Sequence, residues 1–305
     1  MPVRPSRLRE GDLVALVAPS GPVPPERAAA AVEVLSEWGL RVRMGAYALG
    51  KHTFFAGTDD ERLDDLNAAL CDVEVRGVLC LRGGYGMQRI VDAVDFEAVR
   101  RDPKLVMGFS DITALHLALW CETGLATVHG PVAAQFDKGA GSPTARAAYT
   151  ALMTDEEVLV EADPAENTFR VRVPGQAEGT LLGGNLAILA ATIGTRHAPD
   201  LSDAILLLED VAEAPYRIDR MLTHLLRAGW LDAVRGIAIG QFTDCQDEGR
   251  TTTEDVLFER LAQTGVPILG GLPIGHGGQQ MAVGLGRPAV LDAAAGTLRV
   301  EAVGQ

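Results

Sequence analysis

The stretches VRGVLCLRGGYG at residues 75–86 and KLVMGFSDITALHLALWCE at residues 104–122 share one plan. Each opens on a short apolar run, residues 75–81 and 104–109, and each run stops at a glycine-bearing turn. Runs of that length bounded by turn residues predict buried strands. In the second stretch residues 111–122 continue with helical composition, so strand, turn and helix follow without a break. Working outward, residues 12–18 (DLVALVA) predict a further buried strand. Residues 24–38 predict a helix, with proline early and Gly39 just past its end. Residues 41–44 predict a short strand. Residues 58–71 open on the capping box Thr58-x-x-Glu61 and set Leu63, Leu66 and Leu70 at helical spacing. Residues 126–129 predict one strand more. Strands alternating with helices point to βαβ units, hence an α/β fold whose N-terminal half is an open parallel sheet with helices on both faces. Ligands in such sheets sit beyond the carboxyl ends of strands. The turns Arg82–Gly86 and Gly108–Asp111 both fall there.

The alternation weakens from about Pro143. Residues 1–160 are read as an N-terminal α/β domain. Residues 161–178, polar and broken by two prolines, are read as a linker carrying a short hairpin. Residues 179–305 are read as a C-terminal domain. Within it Gly183-Gly184-Asn185 leads into an apolar helix, and residues 204–208 predict a strand ending in Glu209-Asp210. Residues 215–228 predict a helix and 236–242 a strand. Residues 251–263 predict a helix with the box Thr251-x-x-Glu254, and glycine-linked strands follow from Met281.

Bulk composition excludes several classes. A formal net charge of −14 over 305 residues repels phosphate backbones and anionic lipid, so neither nucleic acid nor membrane is an expected partner. The N-terminus lacks the apolar core of a signal peptide, and no apolar run nears the roughly 20 residues that span a bilayer. A cytoplasmic protein is expected. Cys71, Cys80, Cys121 and Cys245 form no C-x-x-C pair and join no histidine cluster. They read as buried thiols, and no metal site is expected.

Four places can carry chemistry. Ser110 sits between a strand and a helix, where the helix N-terminal N–H groups face its hydroxyl. The local pattern by itself reads first as a helix cap and second as a nucleophile. Gly83 and Gly84 let backbone approach a ligand and offer N–H groups to a developing oxyanion, or simply make a tight turn. Glu209 and Asp210 follow the run ILLL, where a carboxylate suits the orientation of an imidazole or a solvated turn. His276 lies in Gly275-His-Gly-Gly278, which leaves an imidazole free to act as general base; His129 is its best substitute.

These residues resemble the LD-carboxypeptidases of serine peptidase family S66, which include muramoyltetrapeptide carboxypeptidases and microcin C self-immunity peptidases. The resemblance runs through Ala18-Pro-Ser20, Arg82-Gly-Gly-Tyr-Gly86, Gly108-Phe-Ser-Asp-Ile-Thr113, His129-Gly-Pro131, Gly183-Gly-Asn-Leu186, Glu209-Asp210, Tyr216-Arg-Ile-Asp-Arg220 and Gly275-His276. It implies a flavodoxin-like N-terminal domain and a smaller β-rich C-terminal domain. It implies a triad of Ser110, Glu209 and His276, with the N–H groups of Gly84 and Asp111 as oxyanion donors. Arg82, Gly83 and Tyr85 become candidate substrate contacts. No metal or organic cofactor is implied, and a homodimer is. The implied reaction is hydrolysis of an L,D-amide, usually that of cytoplasmic murein tetrapeptide. Two alternatives stand beside it: an amidase acting on a peptidyl-nucleotide antibiotic, and a non-catalytic α/β protein that binds a small ligand.

Overall fold

In the computed structural model, which describes residues 2–245, 249 and 251–305, the chain forms two units. The first takes the chain as far as Glu156, with the returning segments 282–284 and 302–305. Its strands are β1 (Leu13–Val17), β2 (Arg41–Met44), β3 (Val75–Cys80), β4 (Leu105–Gly108) and β5 (Thr127–His129). They run parallel in the order 2-1-3-4-5. That is the flavodoxin-like order, in which the direction of winding switches between β1 and β3. The strand Val283–Leu285, β12 by its place in the chain, lies beyond β5. β1 and β4 are buried at every position, as continuous apolar runs in a covered parallel sheet should be. β2 sits at the edge and has no buried residue.

The helices follow local chemistry. α1 (Pro25–Glu37) starts on proline and buries Ala28, Ala31, Val34 and Leu35, one face of a helical period. α2 (Asp59–Cys71) has the expected box: Thr58 Oγ1 accepts from the Glu61 N–H, and Glu61 Oε2 accepts from the Thr58 N–H. Short helices α3 (Met87–Ile90) and α4 (Phe96–Arg101) follow, then α5 (Thr113–Thr123). α6 (Pro143–Met153) was not expected. Ser142 caps it and Pro143 starts it, but its buried face is Ala145, Ala148, Ala151 and Leu152. Alanine gives little apolar contrast, so the period is faint in the sequence.

The second, smaller unit holds residues 157–281 and 285–301. Its strands are β6 (Val158–Glu161), β7 (Arg172–Val173), β8 (Gln176–Asn185), β9 (Ala204–Val211), β10 (Gly236–Thr243), β11 (Ile268–Leu269), β13 (Arg287–Asp292) and β14 (Thr297–Val300). They form one sheet in the order 6-14-13-8-9-10-11-7. The four strands β8 to β11 are parallel neighbours, joined through α7 (Leu186–Thr192), α8 (Pro215–Arg227) and α9 (Thr253–Leu261). The flanking pairs are antiparallel.

Several expectations need correction. Residues 161–178 are not a linker: β7 and the start of β8 lie within them, and β7 pairs with β11. Two of their polar residues brace β10. The Thr168 hydroxyl donates to Gly240 O at 2.9 Å, and Asn167 Nδ2 donates to Phe242 O at 2.8 Å. Polar composition alone cannot tell a brace from a solvated loop. The cap of α9 is Thr252 with Asp255, one residue beyond the expected box. Three consecutive threonines make either register plausible in sequence, and only backbone geometry chooses. Cys80 and Cys245 are buried as expected, whereas Cys71 and Cys121 are exposed near the ends of α2 and α5. Among the described residues no helix is long and apolar enough to cross a membrane.

Candidate active site

Ser110 leaves β4 and enters the 3₁₀ turn Ser110–Ile112 that leads into α5. Its φ is +64°, the left-handed region, which costs an L-residue about 1–2 kcal/mol. The strain does not serve a cap, because no side-chain oxygen caps the turn or α5. Of the two readings of Ser110, the capping one is therefore not observed. What remains is a strained strand–turn–helix elbow with a half-buried serine at its tip. Gly83 makes room for it, and other glycines relieve the contacts around it. A Cβ on Gly83 would lie 2.8 Å from Ser110 Cβ and 3.1 Å from its Oγ. A Cβ on Gly108 would lie 2.9 Å from Ile112 Cγ2. Gly84 has φ +109° and passes so near Gly21 that a Cβ would lie 3.3 Å from the Gly21 Cα.

In the second unit Glu209 is wholly buried near the carboxyl end of β9. Its Oε2 lies 2.6 Å from His276 Nδ1. A carboxylate only accepts, so Nδ1 carries the hydrogen of this bond. Gly275 permits the approach: with φ +131°, a Cβ there would meet Glu209 Oε2 at 2.8 Å. A buried carboxylate bonded to an imidazole can hold that ring for acid–base work, and a serine on a strained strand–turn–helix elbow is, in its own unit, a form that nucleophiles take.

Residues 14–130 match the LD-carboxypeptidase N-terminal domain, and residues 178–291 match the LD-carboxypeptidase C-terminal domain. The chain belongs to the LD-carboxypeptidase family. It is 46% identical to a putative carboxypeptidase of Streptomyces coelicolor, over 98% of this chain and 96% of that protein. It is 39% identical to a probable murein peptide carboxypeptidase of Bacillus subtilis, over 98% and 94%. The solved muramoyltetrapeptide carboxypeptidase of Oxalobacter formigenes superposes with TM-score 0.84 at 29% identity, covering 96% of this chain and 100% of that one. The microcin C7 self immunity protein MccF superposes with TM-score 0.85 at 21% identity, covering 98% of each, a likeness that concerns the fold alone.

In this LD-carboxypeptidase the loops after β1, β3 and β4 are tied together by buried charge. Asp111 Oδ2 accepts from Ser20 Oγ at 2.6 Å and from the Met87 N–H at 2.8 Å. Burial pushes its carboxyl above the usual range, against the pull of those two bonds and of the Arg62 charge. Arg62, buried on α2, donates to Pro19 O, to Gly86 O at 3.0 Å, and to Asp59 at 2.5 Å. The Gly21 N–H donates to Gly83 O at 2.9 Å. The sequence reading assigned Asp111 only a backbone role and passed over Arg62. A charged residue on an apolar helix face is the signal that was available, since such a residue needs partners when buried.

The loop bearing His276 is braced by Gln241, another residue the sequence reading missed. Its N–H donates to Ile274 O at 2.8 Å, and its Oε1 accepts from the Gly277 N–H at 2.7 Å. Its Nε2 donates to Glu166 Oε1 at 2.6 Å and to Gln279 O at 3.1 Å. Burial raises the Glu166 carboxyl, and the bond from Gln241 opposes that.

The adjacent carboxylates Glu209 and Asp210 have separate partners, because successive residues of a strand face opposite ways. Asp210 Oδ1 accepts from Asn185 Nδ2 at 2.9 Å, and its Oδ2 accepts from the Ala187 N–H at 3.0 Å, at the start of α7. Burial first, and then the Glu209 charge, push Asp210 up to about 7. Both carboxylates lie inside β9 rather than past its end. His129 is wholly buried in β5, with Phe109 and His116 beside it at 6.0 and 6.5 Å between ring centres. His276 faces a buried carboxylate, Glu209. Arg82 and Tyr85 are both exposed on the loop after β3, and Arg82 Nη1 donates to Pro22 O at 2.6 Å.

Proposed function

We propose that this carboxypeptidase hydrolyses the L,D-amide bond of cytoplasmic murein tetrapeptide and releases D-alanine, with Ser110 as nucleophile, His276 as base and Glu209 as orienting acid. The observation that carries the proposal is the 2.6 Å bond between His276 Nδ1 and the buried Glu209, which holds the imidazole in one orientation. In the reaction, Ser110 Oγ attacks the carbonyl carbon as His276 Nε2 takes the hydroxyl proton. The N–H groups of Gly84 and Asp111 receive the oxyanion. Collapse breaks the C–N bond, and His276 returns the proton to the departing amine of D-alanine. Water, deprotonated by His276, then attacks the acyl ester and frees Ser110. Murein is proposed as the substrate because a probable murein peptide carboxypeptidase and a muramoyltetrapeptide carboxypeptidase are similar to this chain along nearly its whole length.

We also propose a homodimer in the cytoplasm; a sedimentation coefficient at the mass of one chain would remove the dimer. The test of function is D-alanine release from murein tetrapeptide, measured by mass spectrometry for wild type and Ser110→Ala. The variant should lose at least about 10⁴-fold in kcat. Equal release by both would remove Ser110 as the nucleophile. No release by folded wild type would exclude murein, and an aminoacyl-nucleotide amide is the second substrate for the same assay.

A further inference from the structure

Phe54 and Tyr85 stand out among the exposed aromatic residues, at 61% and 52% exposure. They are neighbours, with ring centres 5.7 Å apart, and both pack on Phe55, at 4.4 and 5.6 Å. Phe55 is itself buried, held by the guanidinium of Arg62 at 4.8 Å and that of Arg89 at 5.1 Å. Two open rings therefore rest on one fixed ring.

The backbone holds this arrangement in place. His52 and Phe55 exchange both main-chain hydrogen bonds at 2.9 Å, and Thr53 between them has φ +56°. The Ala56 N–H donates to Ser20 O at 2.9 Å, and the Ser20 hydroxyl donates to Asp111, the residue after the candidate nucleophile. A Cβ on Gly86 would lie 2.7 Å from the Phe55 ring, so the loop bearing Tyr85 is fitted against the turn bearing Phe54. Tyr85 lies two residues from Gly83, at most about 7 Å of chain, and Gly83 abuts Ser110. Adjacent exposed aromatics fixed this way, and not buried, are a feature of ligand sites.

We propose that Phe54 and Tyr85 form a stacking platform for the sugar end of the substrate, the pyranose of a muramoyl group on the tetrapeptide. The inference rests on the murein reading above and adds a specificity to it. A pyranose presents a face of C–H bonds that lies flat on an aromatic ring. Three extended residues separate the scissile bond from the sugar, on the order of 10 Å, and the two or so residues of chain from Gly83 to Tyr85 keep the platform within that range of Ser110. Phe54 contributes ring surface alone, and Tyr85 adds a hydroxyl for the sugar's polar rim.

The test compares kcat/KM for D-alanine release from muramoyl-tetrapeptide and from the same tetrapeptide without the sugar. Wild type should prefer the muramoyl substrate. Phe54→Ala should cut that preference by about tenfold, chiefly through KM, and Phe54→Trp should restore it. A preference unmoved by Phe54→Ala and Tyr85→Ala, or one lost equally with Phe54→Trp, overturns the platform. Equal cleavage of the two substrates by wild type also overturns it and leaves the murein function standing. Cleavage of neither by wild type overturns the function and the platform together.

Discussion

Around Ser110 the geometry is made by backbone, and around His276 it is made by side chains. The serine adopts a left-handed φ between a strand and a 3₁₀ turn, and the glycine at 83 leaves it space. The histidine hangs from a loop held by Glu209 on one side and Gln241 on the other. In both units the functional residues cluster at or beyond the carboxyl ends of parallel strands, the usual place for ligands in such sheets. The contrast follows from chemistry. A nucleophile needs one oxygen at one point, which a rigid elbow supplies. A base needs a chosen tautomer and ring orientation, which only a hydrogen-bonding partner supplies.

If that contrast is right, the two halves break in different ways. The largest effect should come from Glu209→Gln, which keeps the shape of the partner but removes the charge that steadies the imidazolium. It should lower kcat by about 10⁴-fold while the circular dichroism spectrum and melting point stay near wild type. Retained activity would mean that the Glu209 charge does not serve the reaction. Gly83→Ala should come next. Its methyl would press on Ser110 Cβ at 2.8 Å, and a displacement of that kind costs on the order of 10²-fold in kcat. An active Gly83→Ala enzyme would show that the elbow yields, and that backbone does not set the serine.

The smallest effect sharpens the comparison inside β9. Asp210 anchors α7, so Asp210→Asn should act on stability. Its pKa is raised from 3.8 to about 7, so the fold favours the protonated form. The stability this group confers is complete below its ordinary value and is lost as pH climbs through 7. Wild type should therefore weaken relative to Asp210→Asn by about 2–3 kcal/mol between pH 5 and pH 8. Thermal melts of both proteins at the two pH values check the sign; a gap that stays constant would mean that Asp210 remains ionised throughout.

Much of the first unit could be read without coordinates. β1 and β4 are all buried, so hydrophobicity announces them, and α1 and α2 carry proline and capping signals at their starts. α6 stayed hidden because its core face is alanine. In the second unit residues 161–178 were misread, since Thr168 and Asn167 look like loop residues until their acceptors on β10 are known. Candidate catalytic residues stood out because Ser110, Glu209 and His276 sit at strand ends or among glycines. Their supports did not. Arg62, Ser20, Asp111 and Gln241 act on partners far away in the chain, and nothing local marks such a role.

The sequence by itself determined the strand–helix alternation, the functional loops and the family, because these depend on local period, turn chemistry and ordered motifs. Only the tertiary structure decided that His276 Nδ1 lies 2.6 Å from Glu209, that Ser110 takes a left-handed φ, and that the rings of Phe54 and Tyr85 are neighbours. Each of those depends on which way a side chain points once distant strands have paired, and pairing is a property of the whole sheet.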